Sequence, residues 1–198
     1  MINKVMIKDK MMSTFEEIMN NIYEGSKIRK MWDGSKHEKT KKLSTTEKGT
    51  LGEEFLETII SDLKSDDFEF EIFIPECRRG DFDVGVRNIK SSTETLFENK
   101  TATLDGNGGY QFNAFRKDKN FTHLFCFGIA PNDICYVIIS KDNLYTEEYT
   151  REHYKTVPVS LYNKKNTKPG EVVTGKLTIN KKHMKPISEL VNDLKSIL

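Results

Sequence analysis

Apolar positions along the chain fall into two periods. Over 13–24, Phe15, Ile18, Met19 and Ile22 recur at helical spacing behind a capping box of Ser13 and Glu16. A basic stretch without clear period follows, "GSKIRKMWDGSKHEKTKK", which reads as a loop or arm. The helical period returns over 44–64. Ser44 and Glu47 form a second capping box, Leu51, Phe55, Ile59 and Leu63 repeat every four residues, and Leu56 and Ile60 widen the stripe. Gly49 and Gly52 interrupt it, each at a cost of about 1 kcal/mol relative to Ala. That predicts close approach of another backbone, protein or nucleic acid.

The period then becomes two. "FEFEIFI" (68–74), "DFDVGVRN" (81–88) and "TLFENKTA" (95–102) read as three strands joined by short turns, an antiparallel meander. After the glycine-rich loop "LDGNGG", placed to approach a backbone closely, "YQFNAFRKD" reads as a short helix. "HLFCFGI" (123–129) and "DICYVIIS" (133–140) are apolar almost throughout, as strands buried on both faces are. A basic turn "NKKNTKPG", a strand "EVVTGKLTI" and a closing helix from Ser188 complete the chain. That last helix sets Ile187, Leu190, Val191, Leu194 and Ile197 on one side. The expected fold is α/β, a central mixed β-sheet flanked by helices. The expected unit is a single domain over 1–198, with a core at 44–140, a helical and basic arm at 1–43 and a basic strand-and-helix extension at 141–198.

Charge changes the picture more than composition does. The 198 residues carry a net charge of only +1. Yet residues 26–48 hold eight Lys/Arg against three acids, 155–185 eight Lys against one Glu, and 49–154 hold 20 acids against 11 bases. An acidic centre between two basic segments suits a hard metal ion beside a phosphate backbone. No apolar run reaches membrane-spanning length and the N-terminus lacks a signal-peptide pattern, so a cytoplasmic protein is expected. Cys77, Cys126 and Cys135 show no C-x-x-C spacing; the last two fall in apolar runs and read as core. His37, His123, His153 and His183 form no ligand signature.

The chemistry concentrates in the middle strands. Glu98 and Lys100, two apart, share one face of the third strand, and Asn99 faces the other way. If the second and third strands pair as a hairpin, Asp83 lies beside Glu98 with Lys100 one step along. Two carboxylates so close repel unless a cation sits between them, and hard oxygen ligands suit Mg²⁺. Water on such an ion is acidified, and Lys100 is placed to orient it or to stabilise charge as it attacks. That is phosphodiester hydrolysis. Gly85, on the Asp83 face, would leave room for phosphate or water.

"GDFDV" followed 15 residues later by "ENK" resembles the D…(D/E)-x-K motif of the PD-(D/E)xK nuclease superfamily, and helix, three strands, helix, strand is similar to its αβββαβ core. The resemblance covers about 44–140 and, within the superfamily, is greatest to type II restriction endonucleases. It implies Mg²⁺-dependent cleavage of double-stranded DNA, 5′-phosphate and 3′-hydroxyl ends, a homodimer, and a cognate DNA methyltransferase acting separately on the same site. It makes Asp83 and Glu98 metal ligands and Lys100 catalytic. The superfamily's P-D dipeptide is absent, which leaves Asp81 as the alternative to Asp83; Asp83 immediately precedes "VGV", as the superfamily's acid precedes its hydrophobic run. A glycine four residues before a glutamate matches Gly49 and Glu53, which makes Glu53 a further catalytic candidate, with Glu57 one turn on. Gln111, opening the expected second helix, matches a position where relatives hold Gln. Candidates for DNA contact are Lys36, Lys41, Lys42, Asn107, Lys164, Lys165, Lys168, Lys181 and Lys182. The alternatives are a structure-specific resolvase or repair nuclease of the same fold, and a relative that binds nucleic acid without cutting it.

Overall fold

The computed structural model describes residues 18, 27–64, 69–75, 80–146, 152, 160–161 and 174–198. The helix expected over 13–24, the turn "NKKNTKPG", Cys77, His153, Lys164, Lys165 and Lys168 lie outside the described residues, apart from Ile18.

Helix α1 (Lys27–Trp32) and a 3₁₀ turn (Glu38–Lys42) come first. From Lys27 on, the basic stretch expected as a loop or arm is therefore ordered, because Trp32, 2% exposed, anchors it in the core. His37 ties it to the turn after Ile129, its N–H donating to Pro131 O at 2.8 Å. Helix α2 (Thr45–Asp62) starts where the capping box puts it. Glu47 N–H donates to Ser44 Oγ at 3.2 Å, and Ser44 N–H donates to Glu47 Oε2 at 2.7 Å. Its buried line is Gly52, Leu56 and Ile60, so the two residues expected to widen the stripe lie at its centre; Leu63 is buried as well, and Leu51 is exposed. Phe55 stacks on Phe127 with ring centroids 4.6 Å apart.

The strands are β1 (Phe70–Phe73), β2 (Val84–Asn88), β3 (Glu94–Thr103), β4 (Gly109–Arg116), β5 (His123–Ile129), β6 (Ile134–Ser140), β7 (Ser160–Leu161), β8 (Thr174–Asn180) and β9 (Lys185–Pro186). Six form one sheet in the order β1-β2-β3-β5-β6-β9. β1, β2 and β3 are the expected antiparallel meander, β3 and β5 run parallel, and β5, β6 and β9 are antiparallel, which makes the sheet mixed. Helix α3 (Lys141–Leu144) follows β6, and α4 (Leu190–Ile197) closes the chain with Leu190 and Leu194 buried. Tyr136 Oη of β6 donates to Asp193 Oδ2 of α4 at 2.7 Å. Burying Leu56, Ile60, Phe97 and Phe125, each 0% exposed, stabilises the sandwich by about 1.5–3 kcal/mol per side chain.

One element differs in kind. "YQFNAFRKD" forms strand β4, which pairs with β8 and, through it, with β7 in a second sheet over the face that carries Glu98 and Lys100. Tyr110, Phe112 and Phe115 are all buried, although their spacing of two and then three fits neither period. A bulge between Asn113 and Phe115, with Ala114 at φ +63°, resets the alternation and returns Phe115 to the core. The β3–β5 crossover thus runs through a strand where a helix was expected. No described helix is long and apolar enough to cross a membrane.

Candidate functional site

β2 and β3 pair from Arg87↔Glu94 to Val84↔Phe97 and then part. Asp83 stands at the parting point, just before β2. Its N–H donates to Phe97 O at 2.7 Å, and its Oδ2 accepts the Asn99 N–H at 2.7 Å. The carboxylate thus replaces the next carbonyl of the ladder. Past Asn99, no described strand pairs with that edge of β3. A cleft of about 480 Å³ opens there, lined by Asn99–Thr103 of β3, Lys48 and Glu53 of α2, and Gln111 and Asn113 of β4.

Glu98 is 0% exposed and lies between two ammonium groups. Lys100 Nζ is 2.6 Å from its Oε1; Lys119 Nζ donates to Oε2 at 2.9 Å and Oε1 at 3.2 Å. Burial raises the Asp83 pKa above the ordinary carboxylate value, and the charge of Glu98 adds to the rise; Lys100, the Asn99 N–H and Lys119 pull it back. Tyr145, half-buried after α3, is pushed up to about 12 by burial first and by Glu98 next. Its hydroxyl is therefore protonated near neutrality, and it has no hydrogen-bond partner among the described residues.

The three residues of the expected motif are therefore together, and Lys100 joins the buried carboxylate to the cleft. Glu53 and Gln111 share that cleft, Gln111 from a strand and not from the opening of a helix. Glu57 is half-buried on α2 and does not line it. Asp81 is exposed and lies within electrostatic reach of Arg116. Neither Asp81 nor Asp83 is in a strand; both precede β2. The room expected at Gly85 is filled: a Cβ there would stand 2.5 Å from the Phe73 ring. At Gly52 a close approach exists, to side chains of β3 and not to a backbone, with Thr101 Oγ1 at 1.9 Å from a Cβ built there; at Gly49 the nearest atom is Glu53 Oε1 at 3.8 Å.

Of the basic candidates, Lys41 is half-buried, over the Trp32 ring at 5.1 Å and donating to Thr103 Oγ1 at 3.3 Å. Burial lowers its pKa, with Lys48 next in effect. Lys36, through its N–H on Asn132 Oδ1 at 3.0 Å, and Lys181, through an ion pair with Asp133 at 3.1 Å, meet at the β5–β6 turn. Lys181 N–H also donates to Gly108 O at 2.9 Å, which brings in the loop of exposed Asn107. Lys182 is exposed; Lys42 is exposed and 3.9 Å from Glu38. The "LDGNGG" loop is a tight turn, Asp105 Oδ1 accepting the N–H groups of Asn107 and Gly109 at 2.8 and 2.9 Å, with Gly108 at φ +78°.

Lys119, Tyr145 and Lys48 were not found from the sequence. Lys119 lies 21 residues from Glu98 in a charge-dense loop that reads as surface. One signal called for a further cation without saying which. Asp83 and Glu98 against Lys100 alone leave a buried negative charge, which is costly without a further cation.

The donor chemistry fits Mg²⁺, which binds through one or two carboxylates and keeps several waters. Asp83 and Glu98 are such a pair, the charge of Glu98 acting on Asp83, next to the cleft that Asn99 and Lys100 line. No group of three His, Cys, Asp or Glu is gathered among the described residues, so water would complete the set.

No protein-family profile and no curated protein sequence matches the chain. Two solved structures are similar to it. One is a bacterial homing endonuclease, I-Ssp6803I, at 11% identity and TM-score 0.38, over 50% of this chain and 71% of that one. The other is D212, a nuclease from a fusselovirus, at 10% identity and TM-score 0.39, over 74% of this chain and 88% of that one. Likeness at that level carries no argument about activity, which rests on the site.

Proposed function

We propose that the chain is a Mg²⁺-dependent endonuclease of the PD-(D/E)xK kind that hydrolyses phosphodiester bonds of double-stranded DNA at a specific sequence, as type II restriction enzymes do. The observation that carries this is the meeting of Asp83, Glu98 and Lys100 where β2 and β3 part, next to a cleft that also holds Glu53, Lys48 and Gln111. Asp83 and Glu98 would hold the ion, and Mg²⁺, when bound, supplies charge neutralisation at the phosphodiester and acidifies water. Lys100 serves from the cleft wall as a fixed positive charge beside the scissile phosphate, and Lys48 and Gln111 position the backbone. The basic residues around the β5–β6 turn extend the surface for DNA.

Cutting both strands of a symmetric site calls for two copies, so a homodimer belongs to this reading. A separate methyltransferase protecting the same site, a single domain over the whole chain and action in the cytoplasm belong to it as well. Incubation with plasmid DNA and Mg²⁺ tests it. Discrete fragments, lost in Asp83→Ala and Lys100→Ala, are expected. Cleavage of branched DNA alone would make the protein a resolvase, and binding without cleavage under any metal would remove the enzyme.

A further inference from the structure

Glu98 holds one more ammonium group than the motif requires. Lys119 reaches both of its oxygens, at 2.9 and 3.2 Å, and Lys100 takes Oε1 at 2.6 Å. Asp83 and Glu98 against Lys100 and Lys119 make a formally neutral cluster with nothing added. A divalent ion on the two carboxylates, with both lysines kept, would leave two uncompensated positive charges around a side chain that is 0% exposed. Repulsion at low dielectric opposes that state, and the departure of one ammonium would halve the excess.

Lys100 lines the cleft and sits on the backbone of β3. Lys119 arrives from the loop between β4 and β5 on a flexible four-carbon stem. Its carbonyl accepts a hydrogen bond from Lys141 Nζ, so the loop stays anchored while the head group departs. We propose that Lys119 is a resident counter-ion of Glu98 that a divalent cation displaces, and that this exchange sets the metal affinity of the site. The inference rests on the metal-dependent reading above. Lys119 is a positioning residue in this scheme: it holds the Glu98 carboxylate in place before the metal arrives.

Calorimetric titration of the full-length chain with Mn²⁺ and with Ca²⁺, without DNA, tests it. Lys119→Met is expected to bind about tenfold or more tightly than the unsubstituted chain, because a competing ion is gone. A second readout needs no variant. In the unsubstituted chain, Lys119 is mostly buried, its side chain 16% exposed, so metal is expected to raise its acetylation by an amine-reactive reagent several-fold, read by peptide mass spectrometry. Equal or weaker metal binding by a folded Lys119→Met overturns the exchange. So does an acetylation rate unmoved by a metal that binds. Absence of binding in both proteins at millimolar metal overturns the metal reading itself, and the exchange with it.

Discussion

The two faces of β3 carry polar residues under opposite rules. On one, Glu98 and Lys100 are charged, Glu98 is fully buried, and its partners are ammonium groups on long stems. On the other, Asn99 and Thr101 are neutral, short and wedged under α2, with Asn99 Nδ2 3.4 Å from Thr101 Oγ1 and 3.5 Å from Gly49 O. Asn99 Oδ1 is buried without a partner among the described residues. The first face can exchange a cation without moving backbone. The second fixes where the strand lies. Asp83 couples the two, because its carboxylate belongs electrostatically to Glu98 while accepting the N–H of Asn99.

The largest expected effect falls on the charged face. Lys100→Met should lower plasmid cleavage by about 10³-fold, the scale of losing one preorganised charge-stabilising group. The fold should survive, because Lys119 still contacts both oxygens of Glu98. Circular dichroism and single-turnover cleavage separate the two readouts. Cleavage within a few-fold of the unsubstituted rate would reduce Lys100 to a structural counter-ion.

The neutral face should respond in stability. A Cβ at Gly52 would stand 1.9 Å from Thr101 Oγ1 and 2.8 Å from Asn99 Nδ2. Gly52→Val should therefore cost about 3 kcal/mol in urea unfolding, the upper part of the overpacking range. A cost below about 1 kcal/mol would mean that α2 can lift off β3, and the rigid half of the contrast would fail. Farther along the same helix, Ser44→Ala removes one half of the capping box and should cost about 1 kcal/mol. Because the cap is exposed and Ser44 itself does not line the cleft, it should leave metal-dependent cleavage unchanged.

What the sequence made legible follows this division. α2, β5 and β6 were readable because their signals are local: a cap box, a helical stripe, unbroken apolar runs. Asp83, Glu98 and Lys100 were readable because a hairpin register and a two-residue period determine who meets whom. β4 was not, since the bulge at Ala114 breaks the period that would have revealed it. Gly85 misled for a related reason. A glycine declares that something comes close without saying what, and here it is the ring of Phe73. Lys119 was illegible because its contact with Glu98 is made by tertiary folding alone, and one lysine in a charged loop looks like the next.

The smallest expected effect is one of sign, at the residue that couples the faces. Burial and Glu98 raise the Asp83 pKa above the ordinary carboxylate value of 3.8, while Lys100, the Asn99 N–H and Lys119 offset part of the rise. A carboxyl whose folded pKa is raised holds its proton better in the folded state. It therefore contributes stability below its unfolded pKa and loses that contribution as pH rises through the folded value. Asp83→Asn cannot titrate and keeps an oxygen for the Asn99 N–H. Measured in chelator by urea unfolding, it should gain stability over the unsubstituted chain as pH rises from below 3.8 toward neutrality. A difference that shrinks or reverses with rising pH would place Asp83 in net attraction with the two lysines, and like-charge repulsion with Glu98 would then no longer be the force that a divalent cation relieves.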